Sequence, residues 1–157
     1  MRRNVDDNRM PAQFAVRKIR PADLDRVLEI ERASFSVDAY DRNLFAEHLD
    51  ASGDLFLAAE RAGSIRGYLI ARARGRRAEL VSVAVDPAAR GAGAASAMLE
   101  SALRRLRARG VKRLFLTVKT TNLEARAFYA KYSFRCVRRA PRYYEDGSDG
   151  WRMARKV

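Results

Sequence analysis

The sequence contains few of the residues on which several functional classes depend. Among its 157 residues are one cysteine, Cys136, and one histidine, His48. One cysteine excludes an internal disulfide, which fits a reducing compartment, and we expect a cytoplasmic protein. His48 has no second histidine, cysteine or acid at ligand spacing, so the sequence predicts no metal site. No stretch approaches the ~20 apolar residues of a membrane span, so we expect no membrane partner.

The charge is unevenly distributed along the chain. Residues 1–60 carry 9 Lys and Arg against 12 Asp and Glu, whereas residues 61–142 carry 20 against 4. Such an excess attracts phosphate-bearing ligands and makes proximity to RNA or the ribosome one interpretation. The alternative is a composition bias, because 27 of the 32 basic residues are arginine.

The length fits one domain with a hydrophobic core. Residues 1–13 are polar and mixed in charge, and we expect them to be a disordered lead before a single domain at 14–157. Periodicity and turn residues place the elements of that domain. The predicted strands are 14–20, 55–60, 65–73, 80–85, 113–118, 134–140 and 150–154, and the predicted helices are 21–34, 41–49, 92–109 and 122–132.

A turn after strand 80–85 has the features of an anion-binding site. Asp86-Pro87 ends the strand, because proline cannot donate to a ladder. The small residues 90–95 then open a helix, whose first-turn N–H groups and dipole favour a negative charge. Gly91 and Gly93 allow a ligand to approach the backbone closely. The sequence predicts that a phosphate group binds here.

Known phosphate motifs narrow the choice of ligand. The turn lacks the G-x-x-x-x-G-K-[ST] of an NTPase loop, and Ser96 stands where a dinucleotide fingerprint has its third glycine. A second block, residues 114–134, predicts a strand followed by a helix that opens with the capping box Thr121-Asn122-Leu123-Glu124. Ser133 follows that helix where glycine is usual, so we expect it in the left-handed region at a small strain cost.

Both blocks resemble one family. Arg90-x-x-Gly93-x-Ala95, directly after strand–Asp–Pro, is similar to motif A (Q/R-x-x-G-x-G/A) of the GNAT acyl-CoA-dependent N-acetyltransferases. The second block resembles the family's other signature, and the resemblance as a whole runs from about Phe14 to the C-terminus. Its matching positions are Asn122, Ala125, Tyr129 and Phe134. Within the family, the chain most resembles the ribosomal-protein-alanine N-acetyltransferase group.

The resemblance implies a fold and a cosubstrate. The fold is mixed α/β, with a central, mostly antiparallel sheet of about seven strands and helices on both faces. Strands 80–85 and 113–118 form a parallel pair at the acetyl-CoA site. The residues expected to bind acetyl-CoA are Val83, Ala84, Val85, Arg90, Gly91, Ala92, Gly93, Ala94, Ala95, Asn122, Ala125 and Tyr129.

The resemblance also assigns catalytic roles. Tyr129 matches the family's general acid, and its reference pKa of ~10 keeps it a neutral donor beside a thiol of ~8.5. The glutamate base of the most similar enzymes is replaced by Thr117, which cannot take a proton at neutral pH. Glu79 is the candidate base, directly or through a water, and a solvated strand-end carboxylate is its alternative role.

The acceptor is expected to lie between aromatic walls, formed by Phe35 and Tyr40 on one side and Tyr143 and Tyr144 on the other. A lysine amine costs roughly 4–5 kcal/mol to neutralise at pH 7, and an α-amine only about 1. A weak base therefore favours the N-terminal α-amine of a protein, such as a ribosomal one. The alternatives are a small amine, a lysine or an aminoacyl-tRNA as acceptor, or a basic binding module without turnover.

Overall fold

The computed structural model describes residues 14–35 and 39–157. The expected disordered lead, 1–13, lies outside the described residues. All the predicted helices and strands are present, with bounds that differ by a few residues. In chain order they are β1 (Ala15–Lys18), α1 (Leu24–Phe35), α2 (Arg42–Ser52), β2 (Phe56–Arg61), β3 (Ser64–Arg74), β4 (Arg77–Val85), α3 (Ala94–Ala108), β5 (Arg113–Lys119), α4 (Leu123–Lys131), β6 (Arg135–Ala140) and β7 (Gly150–Lys156).

The strands form one seven-stranded sheet in the order β1-β2-β3-β4-β5-β7-β6. All neighbours are antiparallel except β4 and β5, which confirms the expected mixed sheet. Within the described part of the chain, no helix is long and apolar enough to cross a membrane.

Helices cover both faces of the sheet, as expected. Successive residues of β2 alternate between two cores, because side chains of a strand point to opposite faces. Leu57 packs with Met98 and Leu106 of α3. Phe56 packs on the other face with Val27 of α1 and Phe45 of α2. The sheet is therefore held between α3 and the α1–α2 pair.

The parallel pair differs from the prediction. β4 and β5 pair only from Arg77↔Arg113 to Glu79↔Phe115, so residues 80–85 of β4 have no partner on β5. The register with β3 shifts from Ile70↔Ser82 to Ala71↔Leu80, which leaves Val81 as an extra residue. A bulge bends its strand, and this one accounts for the separation of β4 from β5 beyond Glu79. A cleft opens between the two strands.

The two ends of α4 agree only in part with the sequence prediction. Ser133, after α4, has φ of +69°, which confirms a non-glycine residue in the left-handed region. The helix cap differs from the prediction, because Asn122 rather than Thr121 is the N-cap residue of α4. Its Oδ1 accepts from the Ala125 N–H at 3.1 Å.

Candidate active site

The turn between β4 and α3 presents backbone donors to open space. Gly93 is the N-cap of α3, with φ of +94°, and no described side chain caps the helix. The first-turn N–H groups of α3 therefore keep their capacity for an outside acceptor. A Cβ built at Gly91 or Gly93 would meet no atom of the described residues within 4 Å. An anion can approach this turn closely, and the geometry fits the pyrophosphate of CoA.

Asp86 holds the start of this turn. Its Oδ1 accepts from the Ala88 N–H at 3.0 Å, and its Oδ2 accepts from Arg26 Nη2 at 2.5 Å. The backbone hydrogen bond from Ala88, followed by the one from Arg26, lowers the pKa of Asp86. The carboxylate therefore stays ionised, and the turn keeps its shape across the pH range of ordinary assays.

The residues expected around the pyrophosphate do not all contribute in the same way. Ala84 and Ala94 are buried in the core, so only their backbone groups can face a ligand. The Arg90 side chain folds back, with Nε donating to the Val85 carbonyl at 3.3 Å and Nη2 donating to Ser34 Oγ at 3.4 Å. Ala92 and Ala95 are half-buried beside the open glycines.

The cleft between β4 and β5 continues from this turn. β4 pairs with β3 along Val83–Val85, and the edge facing β5 has no strand partner. An unpaired strand edge offers N–H and C=O groups to an extended ligand. The amide-containing arm of CoA has matching groups. The Asn122 oxygen already caps α4, which leaves its NH₂ group for that arm.

Tyr129 of α4 is the predicted acid. Its ring is half-buried and contacts Phe128 at 5.4 Å and Phe134 at 5.5 Å, measured between ring centroids. Burial, with a smaller contribution from the nearby Tyr144, raises the pKa of Tyr129 to about 12. Its hydroxyl makes no hydrogen bond to any described residue. Tyr129 is therefore a neutral donor available to a bound molecule.

The structure brings the predicted tyrosines together. The rings of Tyr143 and Tyr144 are 5.0 Å apart. Burial, followed by Tyr143 and Tyr40, raises the pKa of Tyr144 to about 12. Tyr144 in turn contributes to the raised pKa of Tyr129, so the tyrosine wall lies near the predicted acid. Phe35 ends α1 with 38% of its surface exposed, and it makes no ring contact with these tyrosines.

Glu79 lies at the closed end of the cleft, where the β4–β5 pairing stops. Both of its carboxylate oxygens accept from Arg152 of β7, Oε2 from Nη2 at 2.8 Å and Oε1 from Nη1. Arg152 Nη1 also donates to Thr117 Oγ1 at 3.3 Å. The hydrogen bonds with Glu79 raise the pKa of Arg152. A carboxylate has about four acceptor positions, so Glu79 can still accept from an amine or a water.

Gly150 allows Thr117 of the Glu79–Arg152–Thr117 group to lie close to the ring of Tyr144. A Cβ built on Gly150 would lie 2.7 Å from Thr117 Cγ2 and 3.5 Å from Tyr144 Cε2. Only a residue without a side chain lets β5 and the Tyr144 ring approach at this point.

Five residues that lie in the cleft or next to it were not identified from the sequence. These are Arg152, Gly150, Glu31, Tyr68 and Ser82. One signal was available for Glu31, which stands at helical spacing from the buried Leu24 and Leu28. An acid on the buried stripe of a helix is unusual. Among the described residues, no three His, Cys, Asp or Glu side chains group to hold a metal.

Comparison with known proteins identifies the family. The model of the acetyltransferase (GNAT) family matches residues 24–134. The chain belongs to the GNAT family. It is an N-acetyltransferase, and similar proteins of other organisms are also named N-acetyltransferases. An N-alpha-acetyltransferase of Sulfolobus acidocaldarius is 27% identical over 96% of each chain. An uncharacterized N-acetyltransferase of Methanocaldococcus jannaschii is 31% identical over 90% of each chain.

Solved structures of the family superpose closely on this one. Ard1 from Thermoplasma volcanium has a TM-score of 0.88 at 29% identity, covering 93% of this chain and 99% of that one. The ribosomal-protein-S18-alanine N-acetyltransferase from Escherichia coli has a TM-score of 0.82 at 26% identity, covering 92% and 94%. The expected GNAT fold and the resemblance to the ribosomal-protein-alanine group are confirmed.

Proposed function

We propose that this enzyme transfers the acetyl group of acetyl-CoA to the N-terminal α-amine of a polypeptide. The observation that carries the proposal is the set of groups beside the unpaired part of β4, namely the glycine turn at Gly91 and Gly93, then Tyr129, then Tyr144 with its neighbours Tyr143 and Tyr40. One end fits a pyrophosphate and the other fits a peptide end. Relatives named N-alpha-acetyltransferase support the same acceptor.

Acetyl-CoA fits the cleft in one direction. Its pyrophosphate would bind the backbone N–H groups of Arg90–Ala95, and its pantetheine arm would follow the free edge of Val83–Val85. The thioester then reaches the middle of the cleft, next to Tyr129. Four solved structures of the same fold hold CoA or a bisubstrate analogue.

The reaction requires a neutral amine, an attack and a leaving thiolate. The ammonium first gives one proton to Glu79, directly or through a water. The nitrogen pair then attacks the thioester carbonyl, and the C–S bond breaks. Tyr129 donates a hydrogen bond from its hydroxyl to the departing sulfur, which keeps the electron pair of the C–S bond and takes its proton from water. Thr117 has no part in proton transfer, because its hydroxyl is not a base by itself at neutral pH and its partner among the described residues is Arg152 rather than a carboxylate.

The cost of neutralising the acceptor favours an α-amine. Lysine requires roughly 4–5 kcal/mol at pH 7 and an α-amine about 1, as the reference pKa values give. A carboxylate already held by a guanidinium, as Glu79 is by Arg152, suits the less demanding acceptor. A small amine or an aminoacyl-tRNA remains a less favoured acceptor, because the tyrosine wall extends beyond the reacting centre.

A peptide assay tests the proposal. A peptide with a free N-terminus and an internal lysine is compared with its N-blocked counterpart, and released CoA is measured with a thiol reagent. We expect the free peptide to react at least tenfold faster. Faster acetylation of the blocked peptide would reassign the acceptor to lysine, and reaction of neither would point to a small amine.

The location of the acceptor is a finer part of the proposal: a protein N-terminus presented close to RNA, as on a ribosome. Its support is a cluster of exposed basic residues at the end of the sheet away from the glycine turn, here called the basic end. The basic end can be located from the strand register, in which the paired residues are Arg74↔Arg77, Arg77↔Arg113 and Arg113↔Lys156. In addition, the Lys112 N–H donates to the Arg76 carbonyl at 2.7 Å. Within the described chain, none of these six side chains forms an ion pair. The basic end consists of Arg74, Arg76, Arg77, Lys112, Arg113 and Lys156.

Salt dependence of RNA binding tests the basic end. Each lost phosphate contact lowers the slope of log K against log salt by about 1. We expect Arg74→Ala/Arg76→Ala/Lys112→Ala to flatten the slope for an RNA duplex by about 2–3. A matched variant, Arg20→Ala/Arg32→Ala/Arg42→Ala, removes as much charge elsewhere. Equal effects of the two variants would mean that only the net charge matters.

A further inference from the structure

A carboxylate lies inside the protein without a cation beside it. Glu31 of α1 is 1% exposed. Tyr68 of β3 donates its hydroxyl to Oε2, and the Tyr40 N–H donates to Oε1 at 3.1 Å. Burial raises the pKa of Glu31 more than these two hydrogen bonds lower it. No Lys or Arg among the described residues pairs with it. Burying such a group is costly, and the mechanism above gives it no task.

A chain of hydroxyls joins this carboxylate to the cleft. Tyr68 is fully buried, and its hydroxyl lies 3.0 Å from Ser82 Oγ. Ser82 is half-buried on β4, next to the bulge at Val81 and within residues 80–85, which have no partner on β5. Either hydroxyl can donate while it accepts, which is the property that a proton relay needs. The Tyr40 that contacts Glu31 belongs to the acceptor wall, so the relay borders the site.

The stoichiometry leaves one proton without an acceptor. An ammonium, R–NH₃⁺, becomes an amide that keeps one N–H, so two protons leave the nitrogen. Glu79 takes the first before the attack. The second leaves as the tetrahedral adduct forms and collapses, while Glu79 still carries the first. A second acceptor is required at that moment.

We propose that Ser82, Tyr68 and Glu31 remove this second proton, an inference that rests on the proposed amine acetylation. The N–H bond breaks toward Ser82 Oγ, the Ser82 hydrogen moves to the Tyr68 oxygen, and the Tyr68 hydrogen moves to Glu31. Meanwhile the C–S bond breaks and the sulfur takes the electron pair. Glu31 returns its proton through the same hydroxyls to water after the product leaves. Ser82 touches the substrate, and Glu31 and Tyr68 act through it.

Three single variants interrupt the relay at different atoms: Glu31→Gln, Tyr68→Phe and Ser82→Ala. We expect each to lower kcat by about 10²-fold, the low end of general acid–base catalysis, with little change in the peptide KM or in acetyl-CoA affinity. The double variant Glu31→Gln/Tyr68→Phe should be no slower than either single one, because the groups act as a unit. Ser82→Thr keeps the hydroxyl and should retain kcat within a few-fold.

The pH profile separates a relay from a structural role. Glu31 accepts a proton only when ionised, so wild-type kcat should fall below its raised pKa, and Glu31→Gln should abolish that fall. The groups that face Glu31 are Tyr68 and Tyr40, with His48 of α2 behind the Tyr40 ring. Burial lowers the pKa of His48, and Arg72 lowers it further, so this histidine stays neutral above that lowered pKa.

Folding is checked separately. Because the folded state raises the pKa of Glu31, wild-type stability decreases as pH rises from the unfolded to the folded pKa. Glu31→Gln should therefore have a higher Tm than wild type at pH 8 and a smaller advantage at pH 5. A kcat profile of Glu31→Gln parallel to wild type, or losses that multiply in the double variant, would overturn the relay. A wild-type enzyme that does not acetylate free peptides would instead refute the proposed function.

Discussion

Replacing Tyr129 with phenylalanine removes one hydroxyl from the cleft and keeps the ring. The ring packs on Phe128 and Phe134, so the local core should be unchanged. The hydroxyl bonds to no described residue, so its loss leaves no buried partner unsatisfied. We therefore expect a variant of nearly wild-type stability, with acetyl-CoA affinity little altered and only the departure of the thiolate impaired.

The raised pKa of Tyr129 sets the size of the effect. At about 12 it exceeds the ~8.5 of a thiol, so complete transfer of the proton to sulfur is uphill by about 5 kcal/mol. Tyr129 then acts chiefly by a hydrogen bond to the developing charge, which contributes about 1.5–3 kcal/mol, or roughly 10–150-fold. General acid catalysis contributes about 10²–10⁴-fold. The two ranges overlap near 10², and we expect kcat to fall by about that factor or more.

Single-turnover and steady-state release of CoA, measured between pH 6 and 10, test this expectation. The matched control is Tyr132→Phe, which removes a hydroxyl from the same helix, one turn on, where the ring packs against Phe128. Wild-type kcat should show no Tyr129 ionisation below pH 10, because its pKa is about 12. Turnover of Tyr129→Phe within threefold of wild type would leave Tyr129 as a packing residue and refute the reasoning.

Three further predictions concern the two ends of the cleft. Gly93→Val should raise the Kd for acetyl-CoA at least tenfold, because its side chain fills the space where the anion approaches; no atom of the described residues lies within 4 Å of the new Cβ, and since the φ of +94° strains a β-branched residue, circular dichroism checks the fold. An unchanged Kd by calorimetry would mean that the pyrophosphate does not bind at this turn. Glu79→Gln should reduce kcat/KM most at low pH, where neutral amine is scarce, and Thr117→Ala should change it less than threefold; a larger loss in Thr117→Ala would reverse these roles. Gly150→Ala should raise the peptide KM by pressing on Thr117 and Tyr144, and adding Thr117→Ala should restore it, because the 2.7 Å clash is with Thr117 Cγ2. A peptide KM that stays raised in the double variant would mean that Gly150→Ala acts by distorting the backbone.

The sequence predicts the elements of this fold well because their signals are local. Alternation, helical spacing and turn residues such as Asp86-Pro87 and Ser133 act over a few positions, and the strands and helices begin and end near where these signals place them. The extent of the β4–β5 pairing was not predictable in this way. It depends on the bulge at Val81, which exists only relative to the register with β3.

The residues of the site also divide into those that have a local sequence signal and those that do not. Motif residues such as Gly93 and Tyr129 are identified by short patterns, so their places in the cleft followed from the sequence. Arg152 reaches Glu79 only because β7 lies beside β5 in the sheet, a long-range arrangement that no local pattern encodes. Glu31 had a local signal, its position on a buried helical stripe, but its link to Ser82 depends on Tyr68 from a third element.

Burial raises the pKa of two groups on the proposed proton path, and this favours opposite functions, a donor at one end and a base at the other. For both Tyr129 and Glu31 it is the main cause of a raised pKa, because it disfavours the charged form of each. A higher pKa keeps the tyrosine protonated throughout the working range, so it remains a donor to sulfur. The same change makes the ionised glutamate a stronger base, so it can take a proton that an ordinary surface carboxylate would leave in water. Separate acid and base functions then require only that the thioester lie between the two groups, and the bend of β4 at Val81 creates the cleft in which it can do so.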